Sequence, residues 1–104
     1  MQNKTVVVFR KFKNNGAIIA LFTEEPATLN PLECSSYMRV GQHGAANPFE
    51  LACMTVIAKE KEYKTLEKEL IIIGYDLDIR KRITASMLAE RNKKIEEFFT
   101  IENG

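Results

Sequence analysis

Tryptophan is absent, histidine occurs once, and cysteine occurs only at Cys34 and Cys53. Two cysteines cannot build the disulfide framework of a small secreted domain. There is no Cys-x-x-Cys or His-x-x-x-His pair, the close spacing by which zinc sites are recognised. Charge of one sign is missing too. Fifteen Lys and Arg face fourteen Asp and Glu, for a net +1. No whole-molecule field therefore draws nucleic acid or anionic lipid, and such binding needs a local patch. No apolar run approaches the roughly 20 residues that span a bilayer. The short Val6–Phe9 run is too brief for a signal segment and leads to no small-residue cleavage site. The expectation is a protein of the producing cell's cytoplasm, with no membrane and no cofactor. No internal repeat or low-complexity segment is present.

What is there reads as one α+β domain. At 104 residues, with 45% hydrophobic and 28% charged residues, the chain can bury one modest core. Thr5 to Phe12 is β-branched and aromatic, as strands prefer. Asn15-Gly16 then leads into Ala17–Phe22, the strongest short hairpin signal. A two-residue loop there places Phe12 opposite Ile19 and Phe9 opposite Phe22. One face then carries Val8, Arg10, Phe12, Ile19 and Leu21, and the other Val7, Phe9, Ile18, Ala20 and Phe22. Both are apolar, so the hairpin belongs mid-sheet or covered on both sides.

Glu24 to Pro31 reads as a loop by its prolines. Ser35 to Val40 suits a short strand, and Gly41 to Pro48 a second loop. Residues 49–58 are apolar and suit strand or helix, with strand favoured over the β-branched Thr55-Val56-Ile57. Lys59 to Ile73 is the clearest helix, with Tyr63, Leu66, Leu70 and Ile73 on one stripe and Gly74 at its end. Tyr75 to Ile83 alternates like a half-exposed strand. Strand, helix and strand in that order predict a β-α-β crossover with parallel strands. The result is a small mixed sheet beginning with the hairpin, one covering helix over 59–73, and a C-terminal helix. Residues 1–84 form the domain and 85–104 a helical tail. The tail's stripe of Met87, Leu88, Ile95, Phe98 and Phe99 is interrupted by Arg91 and Asn92, which points to another surface, such as a second copy of the chain.

Chemistry-bearing residues concentrate in Cys34–Pro48, which holds His43, Cys34, Tyr37, Arg39 and Gln42. Gly41-Gln42-His43-Gly44 is not a phosphate loop, since the P-loop and dinucleotide-binding glycine patterns are both missing. Its glycines suit a turn at positive φ, with His43 bonding the loop to itself. Alternatively they admit a ligand to the backbone. Cys34 and His43 are a conceivable nucleophile–base pair, and with Cys53 a conceivable metal set. No recognised signature surrounds them. Arg80-Lys81-Arg82 is the densest basic run. If the sheet gathers Arg39 and Arg80, an anion site forms, with Tyr37, Tyr75 or Phe12 as stacking surfaces.

Taken as a set, Val8-Phe9-Arg10-Lys11-Phe12-Lys13, Ile19-Ala20-Leu21-Phe22, Ser36-Tyr37, Gly41-Gln42-His43-Gly44-Ala45, Glu62-Tyr63, Leu66, Glu69-Leu70, Gly74-Tyr75-Asp76-Leu77 and Arg80-Lys81-Arg82 resemble a family. It comprises small uncharacterised proteins from phages and mobile elements of gut bacteria. The resemblance covers residues 6 to 83 and implies an accessory protein of a mobile element. It carries no catalytic residue across. The expected function is non-enzymatic binding, with a protein partner or self-association ahead of nucleic acid. Tyr37 would stack, Arg39 and Arg80 would hold an anion, and Gln42 and His43 would hydrogen-bond a ligand. The alternative is a small enzyme or metal-binding protein using Cys34 and His43.

Overall fold

β-Branched and aromatic residues fill Thr5–Phe12, and this segment forms β1; Ile18–Pro26 forms β2, antiparallel to it. The computed structural model describes residues 4–39 and 42–103. Arg10 lies opposite Ile19 and Phe9 opposite Ala20, so the hairpin register sits two residues from the sequence expectation. The loop is Lys13–Gly16 rather than Asn15-Gly16 alone. Phe12 and Ala17 close it through Phe12 N–H to the Ala17 carbonyl, at 2.8 Å. The Asn15 side chain accepts from Ala17 N–H at 2.9 Å, and Gly16 supplies a φ of 73°. Because side chains alternate with a period of two, a two-residue shift leaves every residue on its expected face.

The strand Cys34–Met38 is β3, and Gln42–Ala46 is β4. The sequence expected a loop where β4 forms. Glycine and alanine carry little strand preference, and pairing with β3 decides the matter: Tyr37 faces His43 and Ser36 faces Gly44. The Glu24–Pro31 loop also starts later than expected, since β2 runs to Pro26 through a register shift beyond Phe22. Val40 and Gly41, the expected strand end and turn glycine, lie outside the described residues.

Residues 49–58 divide between two states. Helix α1 (Pro48–Met54) starts with proline in its first turn and the Asn47 side chain accepting from Phe49 and Glu50 N–H. Strand β5 (Thr55–Ile57) follows, as its β-branching predicts. Helix α2 (Glu60–Ile73) follows Lys59, whose N–H is held by the Glu62 carboxylate at 2.9 Å. It ends at Gly74, with φ of 124°. Strand β6 (Leu77–Arg80) and helix α3 (Ala85–Asn103) complete the chain.

The sheet order is β4-β3-β2-β1-β5, with β6 also on β1. β5 pairs antiparallel with residues 10–12 of β1, and β6 pairs parallel with residues 5–8. The two short strands thus share one edge of β1 end to end. The strand–helix–strand order is as expected, but β6 runs parallel to β1 and not to β5. A three-residue β5 leaves half of that edge unpaired, and β6 takes it.

Both faces of the hairpin are covered. Val7, Phe9, Ala20 and Phe22 join Tyr37, Leu66 and Leu70 in the core beneath α2. Tyr63 stacks on Phe9 at 4.3 Å, and Tyr75 stacks on Phe22 at 4.9 Å, fixing α2 near both ends. Ile73, expected on the α2 stripe, is half-exposed. Opposite, Val6 and Val8 meet Met87 of α3, while Ile19, Leu21 and Cys34 meet Leu51 of α1 and Ile83. Helix α3 is therefore docked on the sheet.

Arg91, which the sequence pattern reads as a break in the α3 stripe, is wholly buried. Its Nε donates to the Pro31 carbonyl at 3.1 Å, and its Nη1 donates to the Thr23 carbonyl. Charge-assisted bonds let a guanidinium replace the missing apolar contact. Arg91→Ala should lower stability by about 3 kcal/mol, because the buried Thr23 carbonyl and the part-buried Pro31 carbonyl lose their donor and a cavity opens. Lys94→Ala, which removes only the surface pair with Glu25, should cost less than about 0.5 kcal/mol. Urea unfolding monitored by circular dichroism measures both.

Candidate functional site

The side chains of Cys34–Pro48 are distributed by the strand period over two faces of the sheet. Cys34 points into the core under α1 and α3 and is fully buried. Tyr37, three positions on, points to the α2 side and is buried there, its hydroxyl donating to the Glu69 carboxylate. His43 is its cross-strand neighbour, exposed, with ring edge against the Tyr37 ring at 4.7 Å. Cys34 and His43 therefore lie on opposite faces, and the strand partner of Cys34 is Ala46. They form no nucleophile–base pair. Cys53 is exposed on α1, its thiol donating to the Phe49 carbonyl at 3.8 Å. Among the described residues, no three His, Cys, Asp or Glu side chains converge as a metal would need.

Gly44 does not make the expected turn. It sits in extended β4 opposite Ser36, and a Cβ built there would meet Ser36 Oγ at an ordinary 3.5 Å. Gln42 starts the same strand, paired with Met38.

Arg39 and Arg80 are not gathered. β1 and β2 lie between the strands that carry them, so they stand about 15 Å apart across the sheet, at roughly 4.8 Å per strand. Arg39 borders an open depression with Gly16, Ile18, Glu62 and Thr65. Arg80 borders another, on the opposite flank of α2, with Phe9 and Tyr63. Tyr75 and Phe12, the other stacking candidates, are engaged against Phe22 and the Ile19 cluster.

The Arg80 depression is the more apolar of the two in its lining residues. It encloses about 570 Å³, within the range of ligand sites. It opens where β5 and β6 both end, over Phe9, whose carbonyl accepts from Ala58 N–H at 3.2 Å. Phe9, Ile57, Ala58, Tyr63 and Ile79 line it, and Lys59, Arg80 and Lys81 stand around it with Glu60. Asp78 holds Arg80 through two bonds of 3.0 and 2.8 Å, raising the guanidinium pKa further and lowering that of Asp78. Lys59 lies near Glu62, whose carboxyl pKa its charge helps to lower, and neither Lys59 nor Lys81 enters an ion pair among the described residues. The arrangement sets an apolar wall beside the Lys59 and Lys81 side chains, with Arg80, turned to Asp78 on the Val8 face of β6, at its rim.

Sequence reasoning found Arg80 and the basic run that includes Lys81 but missed Phe9, Tyr63 and Lys59 as its neighbours. Tyr63 was visible only as part of a helical stripe. No local signal places Lys59 beside Arg80, because their proximity arises from β5 and β6 meeting end to end.

Burial drives the Cys34 thiol up to about 11, partly opposed by the Arg91 charge. At pH 8 one thiol per chain, Cys53, should react with a disulfide reagent, and both should react in denaturant. A raised thiol pKa means the unfolded chain loses its proton first. Stability should therefore fall as pH rises from about 9 to about 11, and Cys34→Ala should remove that loss. Denaturant titrations across this range measure it.

Comparison with protein-family models, with curated proteins and with solved structures finds no match to this chain.

Proposed function

We propose that this protein is a non-enzymatic binding module, an accessory protein of a phage or mobile element, that engages a macromolecular partner through the depression over Phe9. The observation that carries this is the juxtaposition of an apolar wall with Lys59, Arg80 and Lys81 at an open sheet edge. Cys34, buried and unable to reach His43, supports binding over catalysis. The element setting rests on the resemblance of residues 6–83. Among the described residues, no helix is long and apolar enough to cross a membrane. Amide shifts followed by NMR on adding a polyanion, either an oligonucleotide or polyglutamate, should move at Phe9, Ala58–Tyr63 and Ile79–Lys81. Shifts confined to residues 34–46, or stoichiometric metal in the native mass spectrum of protein purified without added metal, would overturn it.

Self-association is a second reading, favoured by the β4 edge. That strand reads Gln-His-Gly-Ala-Ala, with none of the charge, proline or bulge that commonly guards an edge. Antiparallel pairing of two copies about Gly44 opposes no like charges. Sedimentation at about 100 μM should then show a dimer that Ala45→Lys dissociates, since a lysine guards a sheet edge. A strict monomer at that concentration removes this reading.

A further inference from the structure

We infer that the ligand of the Phe9 depression is single-stranded nucleic acid, bound without sequence preference. This rests on the binding-module reading above and names its partner. Two features of the lining select the class. Three of its residues present apolar or aromatic surface, exposed Ile57 and half-buried Tyr63 and Ile79, over a floor of buried Phe9 and Ala58. Three others, Lys59, Arg80 and Lys81, are cations, and Arg82 follows exposed in the same connector. A nucleic acid strand supplies a planar, largely apolar base with every phosphate, so it meets both features at once whatever its sequence. An acidic peptide matches the cations but presents a flat apolar group only where its sequence happens to provide one.

The strand state follows from the same lining. A base reaches an apolar recess only when unstacked and unpaired, so a duplex can offer the site nothing but its phosphates. The absence of base discrimination also follows. Among the described residues no Asn, Gln, Ser or Thr lines the recess, so it lacks the neutral side chains that read a base edge. Among the described residues Glu60 is the one carboxylate in the lining, and Asp78 is turned to Arg80. Asp78 uses Nε and one Nη of that guanidinium, which leaves the other Nη for a phosphate oxygen. The local sign is positive although the whole chain is nearly neutral.

The test is fluorescence polarisation of labelled single strands of about 12 nucleotides, DNA and RNA of mixed sequence, at about 50 mM salt. Binding should fall in the micromolar range. The slope of log K against log salt should be near −2, from about three neutralised phosphates at roughly −0.7 each. Lys59→Glu and Lys81→Glu alter exposed side chains, leave folding intact, and should each weaken binding by about tenfold. Tyr63→Leu should weaken it by a similar factor through the lost aromatic surface. Because Tyr63 also packs on Phe9, its circular dichroism is compared with that of the parent, and the lysine variants carry the test if it unfolds. A duplex of the same sequence should bind more weakly than either strand. No binding at about 100 μM, or binding unchanged in both charge reversals, overturns the inference. If oligonucleotides fail while an alternating Glu-Phe peptide binds and is lost in Lys81→Glu, the nucleic-acid inference falls and the binding module stands. If neither binds, both fall.

Discussion

Val6 to Phe9 and Ile19 to Phe22 are buried at every position, so neither face of the central hairpin can be left to water. Burying one such aliphatic or aromatic side chain contributes about 1.5–3 kcal/mol. A surface ion pair such as Lys94–Glu25 contributes at most about 1 kcal/mol. The two-faced hairpin therefore sets the architecture. Helix α2 covers one face, fixed by the Phe9–Tyr63 and Phe22–Tyr75 stacks, and α3 with α1 covers the other.

The candidate site is a by-product of how that hairpin is edged. β1 is eight residues long, while β5 has three and β6 four. One β1 edge takes both, in opposite directions, and they meet beside Phe9. Neither strand covers the junction, so half-buried Tyr63 and Ile79 border it above buried Phe9. The segment that ends β5 brings Lys59, and the one that leaves β6 brings Arg80 and Lys81. At the far end of β5, Arg10 donates to the Ala52 and Thr55 carbonyls and to Thr55 Oγ1, tying α1 to the sheet. The two arginines of these strands thus differ in role. Arg10 is spent on structure, whereas Arg80 stands at the surface.

Arg91 shows why a hydropathy pattern misleads at a buried cation. Its position in α3 falls between Met87 and Ile95, both buried, so it lies on the helix face against the sheet. Read by residue type, it breaks the stripe and suggests a helix seeking another partner. In place, its stem packs as a hydrophobe does and its head satisfies the Thr23 and Pro31 carbonyls. Those acceptors are sixty or more residues away, in a strand end and a loop whose positions no local rule supplies. The same holds for β4. Gln-His-Gly-Ala-Ala has no strand signature, and only the offered edge of β3 makes it one.

Local spacing alone determined the strands of the hairpin and their two apolar faces, the α2 stripe with its Gly74 stop, the β-branched Thr55–Ile57 strand and the C-terminal helix. Each follows from periods of 2 or 3.6 and from turn chemistry, which act over a few residues. Tertiary structure decided the hairpin register, the β4 strand, the parallel pairing of β6 with β1 and the burial of Arg91. It also decided the site. Cys34 and His43, near in sequence, were sent to opposite faces by the strand period, while Phe9, Lys59, Tyr63 and Arg80, distant in sequence, were brought together. The reason is physical: a side chain's direction is set locally, whereas its neighbours are chosen by which strand pairs with which, and that is settled only when both faces of β1 and β2 are covered.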